Sequence, residues 1–148
     1  MTTQVISTED CSKHRELIRQ WITPAMMHSA GESTIDDILD KLEKGSAHCW
    51  MFNNSQGQPI MVGVTELIQM GRKKVCHIIT TTGDWKAAHE THNIIEDYAK
   101  AVGCDSVMVW GRPGWARELT KFEFDSGRKY QQSYVVLEMK LGDNNENN

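Results

Sequence analysis

Several short stretches of this 148-residue chain hold side chains able to do chemistry. His89-Glu90-Thr91-His92 sets two imidazoles on one helix face, so a metal ion is the first ligand to consider. The stretch is not a His-Glu-x-x-His motif and no third ligand stands at a diagnostic spacing, so no metal is expected. Thr80, Thr81, Thr82, Gly83, Trp85 and Lys86 gather hydroxyls, a glycine and a cation at a strand-to-helix junction, where backbone amides favour an anion. Asp84 lies among them and is expected to cap the helix with its own carboxylate, occupying the place a phosphate would take. Glu66 and His77 are titratable residues in otherwise apolar runs. No Gly-x-Ser-x-Gly elbow presents a serine nucleophile. Cys11, Cys49, Cys76 and Cys104 form no Cys-x-x-Cys pair and read as reduced core residues.

The elements that must carry these residues follow from periodicity. Gln4-Val5-Ile6-Ser7 is a short extended segment, and Leu17, Ile18, Trp21 and Ile22 mark a helix from Cys11 that Pro24 ends or kinks. Ile35, Ile38, Leu39 and Leu42 define a second helix, with Ser33 and Asp36 as a capping box and Gly45 as its stop. A strand period then takes over. His48–Asn53, Ile60–Met70 and Val75–Thr81 predict a three-stranded antiparallel meander, the middle strand bent or bulged near Gly63. Trp85, Ala88, His92, Ile95, Ala99 and Val102 return to 3.6-residue spacing. Ser106–Trp110 predicts a strand parallel to the third, and Trp115 to about Lys121 a fourth helix after Pro113. Gln132–Leu141 alternates, with Val135, Leu137, Met139 and Leu141 on one face, and predicts a terminal strand. Ile35, Leu39, Leu42, Trp85, Ile95 and Val107 are the expected core.

The expectation is a single α+β domain over residues 1–141, a mostly antiparallel central sheet with about four helices, and a disordered polar tail over residues 142–148. With 39% hydrophobic and 24% charged residues the chain is long and apolar enough to close a core. Nothing approaches the roughly 18 apolar residues of a membrane span. No basic region precedes an apolar run near Met1, so no secretory leader is expected and the cytoplasm is the expected location. A net charge of −4 makes nucleic acid an improbable partner.

The element order, at this length, resembles the GNAT N-acetyltransferase fold. The run from Cys104-Asp105-Ser106-Val107-Met108-Val109-Trp110-Gly111-Arg112-Pro113-Gly114-Trp115-Ala116-Arg117, with Tyr134-Val135-Val136-Leu137-Glu138 after it, is similar to small divergent GNAT-like proteins of tailed bacteriophages. The match covers Ala47–Leu141 well and residues 1–46 by element order. It implies a V-shaped cleft where the third meander strand and Ser106–Trp110 part at one end.

That resemblance assigns roles. The family's phosphate loop follows the third meander strand, which here is Thr80 to Lys86. No register of that segment reproduces the glycine-rich pattern. A general base facing the cleft would be Glu66 or His77. The family's tyrosine acid precedes a Gly-Phe pair. Counting back from Phe124, its place holds Leu119, and Glu123 replaces the glycine. Tyr130 and Tyr134 follow, and Tyr134 is taken as the candidate acid. Two readings result. In the first, the acyl-CoA site is degenerate and needs no cofactor, and the chain serves a phage as a virion component or host-protein binder, in the host cytoplasm or on the particle. Trp115, held by Arg112-Pro113-Gly114, is then the candidate protein contact. In the second, the chain is an active N-acyltransferase using acetyl-CoA or another acyl-CoA as co-substrate.

Overall fold

The computed structural model describes residues 2–26, 33–83, 88–110, 113–134 and 137–142. Ser7 ends β1 (Thr2–Ile6) and starts α1 (Thr8–Lys13), its hydroxyl accepting the Asp10 amide at 3.1 Å. His14 leaves helical geometry, and α2 (Arg15–Met26) follows. The single helix expected from Cys11 is therefore two, started by Ser7 rather than Asp10. Pro24 does not end α2 but lies inside it, two residues before Met26, where its missing N–H removes one backbone bond. Thr34, not Ser33, caps α3 (Ile35–Lys44), and Gly45 closes it in the left-handed region at φ 79°. Arg15 reaches Asp40 and Glu43, and Arg19 holds Asp36 at 2.8 Å, tying the exposed flank of α2 to that of α3.

The sheet runs in the order β1, β2 (Ala47–Asn53), β3 (Pro59–Met70), β4 (Lys73–Gly83), β5 (Ser106–Val109). The first three pairings are antiparallel and the last is parallel, because α4 (Ala88–Ala101) crosses between β4 and β5. Alternation sends Cys49, Val62 and Val64 to one face, against Ile18, Ile22, Ile38, Leu39 and Leu42 of the first helices. Trp50, Phe52, Cys76 and Ile78 go to the other, against Ile95 and Ala99 of α4. A bulge interrupts this count. Val64 pairs with Thr80 while Thr65 pairs with Ile78, so Ile79 stands without an opposite residue.

Helix α5 (Pro113–Lys121) follows β5, bringing the helices to five. The expected terminal strand, Gln132–Leu141, is not formed among the described residues, and Val135 and Val136 lie outside them. Among the described residues after α5 the only pairing is an isolated bridge between Glu123 and Lys129. Leu137, Met139 and Leu141 are 89%, 83% and 92% exposed. Alternation prepares an apolar face but does not itself supply the strand that must cover it. The expected core is otherwise filled by Leu39, Leu42 and Ile95, with Ile35 and Val107 partly buried. Trp85 lies outside the described residues.

Candidate functional site

Antiparallel register places Glu66 of β3 directly opposite His77 of β4, on the face that carries α1 to α3. The Glu66 carboxylate accepts from His77 Nδ1 at 2.9 Å and from Lys41 Nζ of α3 at 2.8 Å. Because a carboxylate only accepts, Nδ1 carries the proton of the neutral ring and Nε2 carries the lone pair. Among the described residues none donates to Nε2. Burial disfavours the charged imidazolium and outweighs Glu66, so the His77 pKa falls below its ordinary 6.5. Burial works against the Glu66 carboxylate as well, yet the Lys41 and His77 contacts prevail and hold it below the usual range. His77 is thus a neutral, oriented base. Trp110 stacks on its ring at 4.0 Å between centroids and is itself 53% exposed.

The pair stands at a fork. Pairing of β4 with β5 runs from Val75↔Ser106 to Ile78↔Val109, and Ile79–Gly83 continue beside β3 without a described partner on that side. Thr80 is buried, Thr81 and Thr82 are half-buried, and Gly83 is exposed. Gly83 has φ +130°, and a Cβ there would overlap the Ile60 carbonyl and stand 2.6 Å from Met61 Cα. Glycine at this position is therefore required by the close passage of β3, whatever the junction binds. Asp84, Trp85, Lys86 and the side chains of His89 and Trp115 lie outside the described residues.

On the α4 face, an apolar cavity of about 70 Å³ lies beside the fork, lined by Trp50, Met61, Ile78, Val109, Leu119 and Tyr130 among others. Its polar wall includes His92 and Tyr130, and His92 belongs to a second carboxylate–histidine pair. His92 Nδ1 meets Glu96 at 2.7 Å, and His92 Nε2 meets the Tyr130 hydroxyl at 2.7 Å. Ser126 and Arg128 each reach the other Glu96 oxygen at 2.8 Å. Phe124 stacks on the His92 ring at 3.9 Å. Burial lowers the His92 pKa despite Glu96, and raises that of the Tyr130 phenol.

Sequence reasoning named Glu66 and His77 separately, and the structure brings them into contact. It missed Lys41, which sits on the polar face of a surface helix with no local signal. Tyr134 is 61% exposed, while Tyr130 faces the cavity. His92 was weighed as a metal ligand; its partner is Glu96, four residues on, and among the described residues no group of three His, Cys, Asp or Glu could hold a metal ion. All four cysteines are free, and burial pushes the Cys49 and Cys76 thiols up to about 12, which leaves both inert as nucleophiles. No described helix is long and apolar enough to cross a membrane.

No protein-family model and no curated protein matches the chain. Solved structures do. A probable acetyltransferase superposes with a TM-score of 0.66 at 10% identity, covering 97% of this chain and 99% of its own. An aminoglycoside acetyltransferase from an uncultured soil metagenomic sample, in complex with sisomicin, gives 0.59 at 11% identity, with 94% and 96% covered. Glucosamine-6-phosphate N-acetyltransferase from Arabidopsis thaliana gives 0.55 at 13%, with 95% and 100% covered. The fold is that of the GNAT acetyltransferases.

Proposed function

We propose that the fork between β4 and β5 is an acyl-CoA-dependent N-acyltransferase site with His77 as its base. The observation that carries this reading is the Glu66–His77 pair, which aligns a neutral imidazole beside the point where the two strands part. In the proposed step an amine nitrogen attacks the thioester carbonyl carbon. The C–N bond forms, the amine proton passes to His77 Nε2, the C–S bond breaks, and CoA leaves as a thiolate that solvent protonates. Glu66 stabilises the imidazolium formed. Thr80, Thr81, Thr82, Gly83, Trp85 and Lys86 are the segment proposed to hold the CoA phosphates. A proton donor at Tyr134 would have to act from an exposed position.

The test is calorimetric titration with acetyl-CoA, followed by an assay of CoA thiol release with a panel of amines. Saturable binding and thiol release that His77→Ala abolishes support the reading. A dissociation constant of about 100 μM or weaker, roughly −5.5 kcal/mol, with no thiol release, would sink it. The second reading is a degenerate site in a chain that binds proteins, as a phage virion component or a binder of a host protein through Trp115. It is favoured by Leu119, which lines the cavity where the family's tyrosine acid would stand.

A further inference from the structure

Gly63 stands in the middle of β3 with no backbone reason to be glycine. It is not in the left-handed region, and a Cβ there would meet only Thr81 Cγ2 at 3.4 Å and the Thr80 carbonyl oxygen at 3.8 Å. Glycine inside a strand weakens it, and it often marks a place that a ligand approaches closely. Gly63 lies opposite Trp50 of β2 and Thr81 of β4, and all three line the apolar cavity beside the fork. Residues opposite one another share a face, so the side chain missing at Gly63 leaves its space to that cavity.

What the cavity can hold follows from its polar groups. The Trp50 indole N–H donates to Thr65 Oγ1 at 2.9 Å, Thr91 Oγ1 donates to Met61 Sδ at 3.5 Å, and the Tyr130 hydroxyl meets His92 Nε2 at 2.7 Å. These groups are paired within the cavity wall and offer little to a water or a polar ligand, so hydrocarbon is the matching occupant. Size sets its length. The volume of about 70 Å³ is roughly half the ~150 Å³ in which a dry apolar cavity takes the six carbons of benzene, which leaves room for about three carbons.

Position identifies the hydrocarbon. Ile78 and Val109, the last pair before β4 and β5 part, line the cavity, as does Thr81 beyond the fork. His77 precedes Ile78, so alternation turns the base to the α1–α3 face and Ile78 to the α4 face. A thioester lying in the fork has a proton acceptor on one face of the sheet and an apolar space for its acyl tail on the other.

We propose that this cavity takes the acyl tail of the co-substrate and that Gly63 sets its length, so that the donor is a CoA thioester of a straight acyl group of about four carbons, the carbonyl carbon in the fork and three in the cavity. This rests on the acyltransferase reading and adds the class of acyl group to it.

Calorimetric titration of the full chain with acetyl-CoA and butanoyl-CoA tests this, with Gly63→Ala as the variant. Each buried methylene is worth about fourfold in affinity, so the parent is expected to bind butanoyl-CoA at least about tenfold tighter than acetyl-CoA. The methyl added by Gly63→Ala takes the place of one methylene. The preference is then expected to fall to about fourfold or less, with the melting temperature kept or raised. Equal binding of the two thioesters to the parent overturns the proposal and leaves the acyltransferase reading standing. Failure of both to bind overturns the two together. A preference that Gly63→Ala leaves untouched also overturns the proposal, by placing the tail elsewhere. Should Gly63→Ala fail to fold, Leu119→Ala decides in its place, because it removes part of the cavity wall. It must move the preference toward hexanoyl-CoA, and an unmoved preference overturns the proposal.

Discussion

Two carboxylate–histidine pairs lie on opposite faces of the same sheet, and they differ in what happens at the far ring nitrogen. In Glu66–His77 the carboxylate orients Nδ1, and Nε2 meets no described donor. In Glu96–His92 the carboxylate orients Nδ1 in the same way, but Tyr130 takes Nε2 while Ser126 and Arg128 take the remaining carboxylate oxygen. The first pair keeps an unused lone pair and so can accept a proton. The second is saturated, and its connections run between α4 and the segment after α5. It is a clamp. A histidine beside a carboxylate is therefore no sign of catalysis until the other nitrogen has been followed.

The largest test of this contrast is removal of each ring. His77→Ala is expected to lower kcat for amine acylation by about 10²–10⁴-fold, the usual worth of a positioned general base, with a smaller effect on stability. His92→Ala is expected to do the reverse. It leaves Glu96 and Tyr130 partly unpaired in a buried place and should cost about 2–4 kcal/mol in urea unfolding, with kcat per folded molecule nearly unchanged. Equal losses of activity in both variants would erase the distinction.

Acid sharpens it next. Both imidazoles have native pKa values lowered by burial from 6.5, so below that pH the unfolded chain binds more protons than the native one. Stability is expected to fall as pH drops through 6.5 toward the native values, and to fall again below about 4.5, where Glu66 and Glu96 are held ionised in the native state only. Urea midpoints measured from pH 8 to 4 check the slope. A midpoint flat across the histidine range would contradict the burial of either ring as neutral. Lys41→Met should move the acidic limb of kcat/KM upward in pH, since Lys41 disfavours the His77 imidazolium. No such shift is expected for thermal unfolding of the clamp. The smallest effect is Trp110→Leu, which removes an exposed ring from the face of His77 and should cost about 0.5–1.5 kcal/mol in the acylation barrier.

Much of the scaffold was legible because it is written in local signals. The α3 stripe, Gly45 and the meander turns each carry their own periodicity or punctuation, and the parallel placement of β5 follows from the α4 crossover. Helix starts were less legible: that of α3 was missed by one residue, since Ser33 and Thr34 offer the same hydroxyl chemistry and backbone geometry selects one, and that of α1 by three, with Ser7 capping where Asp10 was expected. The pairing of Glu66 with His77 was not legible as a contact. It depends on strand register, which two apolar runs joined by a turn do not specify to the residue. Lys41 and Tyr130 were hidden for a related reason, since each reaches its partner across more than twenty residues of sequence. The terminal strand failed in the opposite direction. Its alternation is real, but an alternating segment names a face to be covered and not the surface that covers it.

The bulge at Ile79 gives the molecule a parity rule. Ahead of it, β3 and β4 pair in one frame, Val64 with Thr80; behind it they pair one residue out of step, and only in that second frame do Glu66 and His77 meet. Delete Ile79 and the ladder closes without a gap, Val64 still opposite Thr80 and Glu66 still opposite His77; delete Thr65 from β3 instead and Glu66 moves opposite Ile78, so that its carboxylate loses the ring. For a lineage carrying this gene, a single-codon deletion at Thr65 of β3 is thus a different event from any point substitution. It spares every chemical group of the pair and abolishes the pair, so length at this place is as heritable a determinant of function as identity.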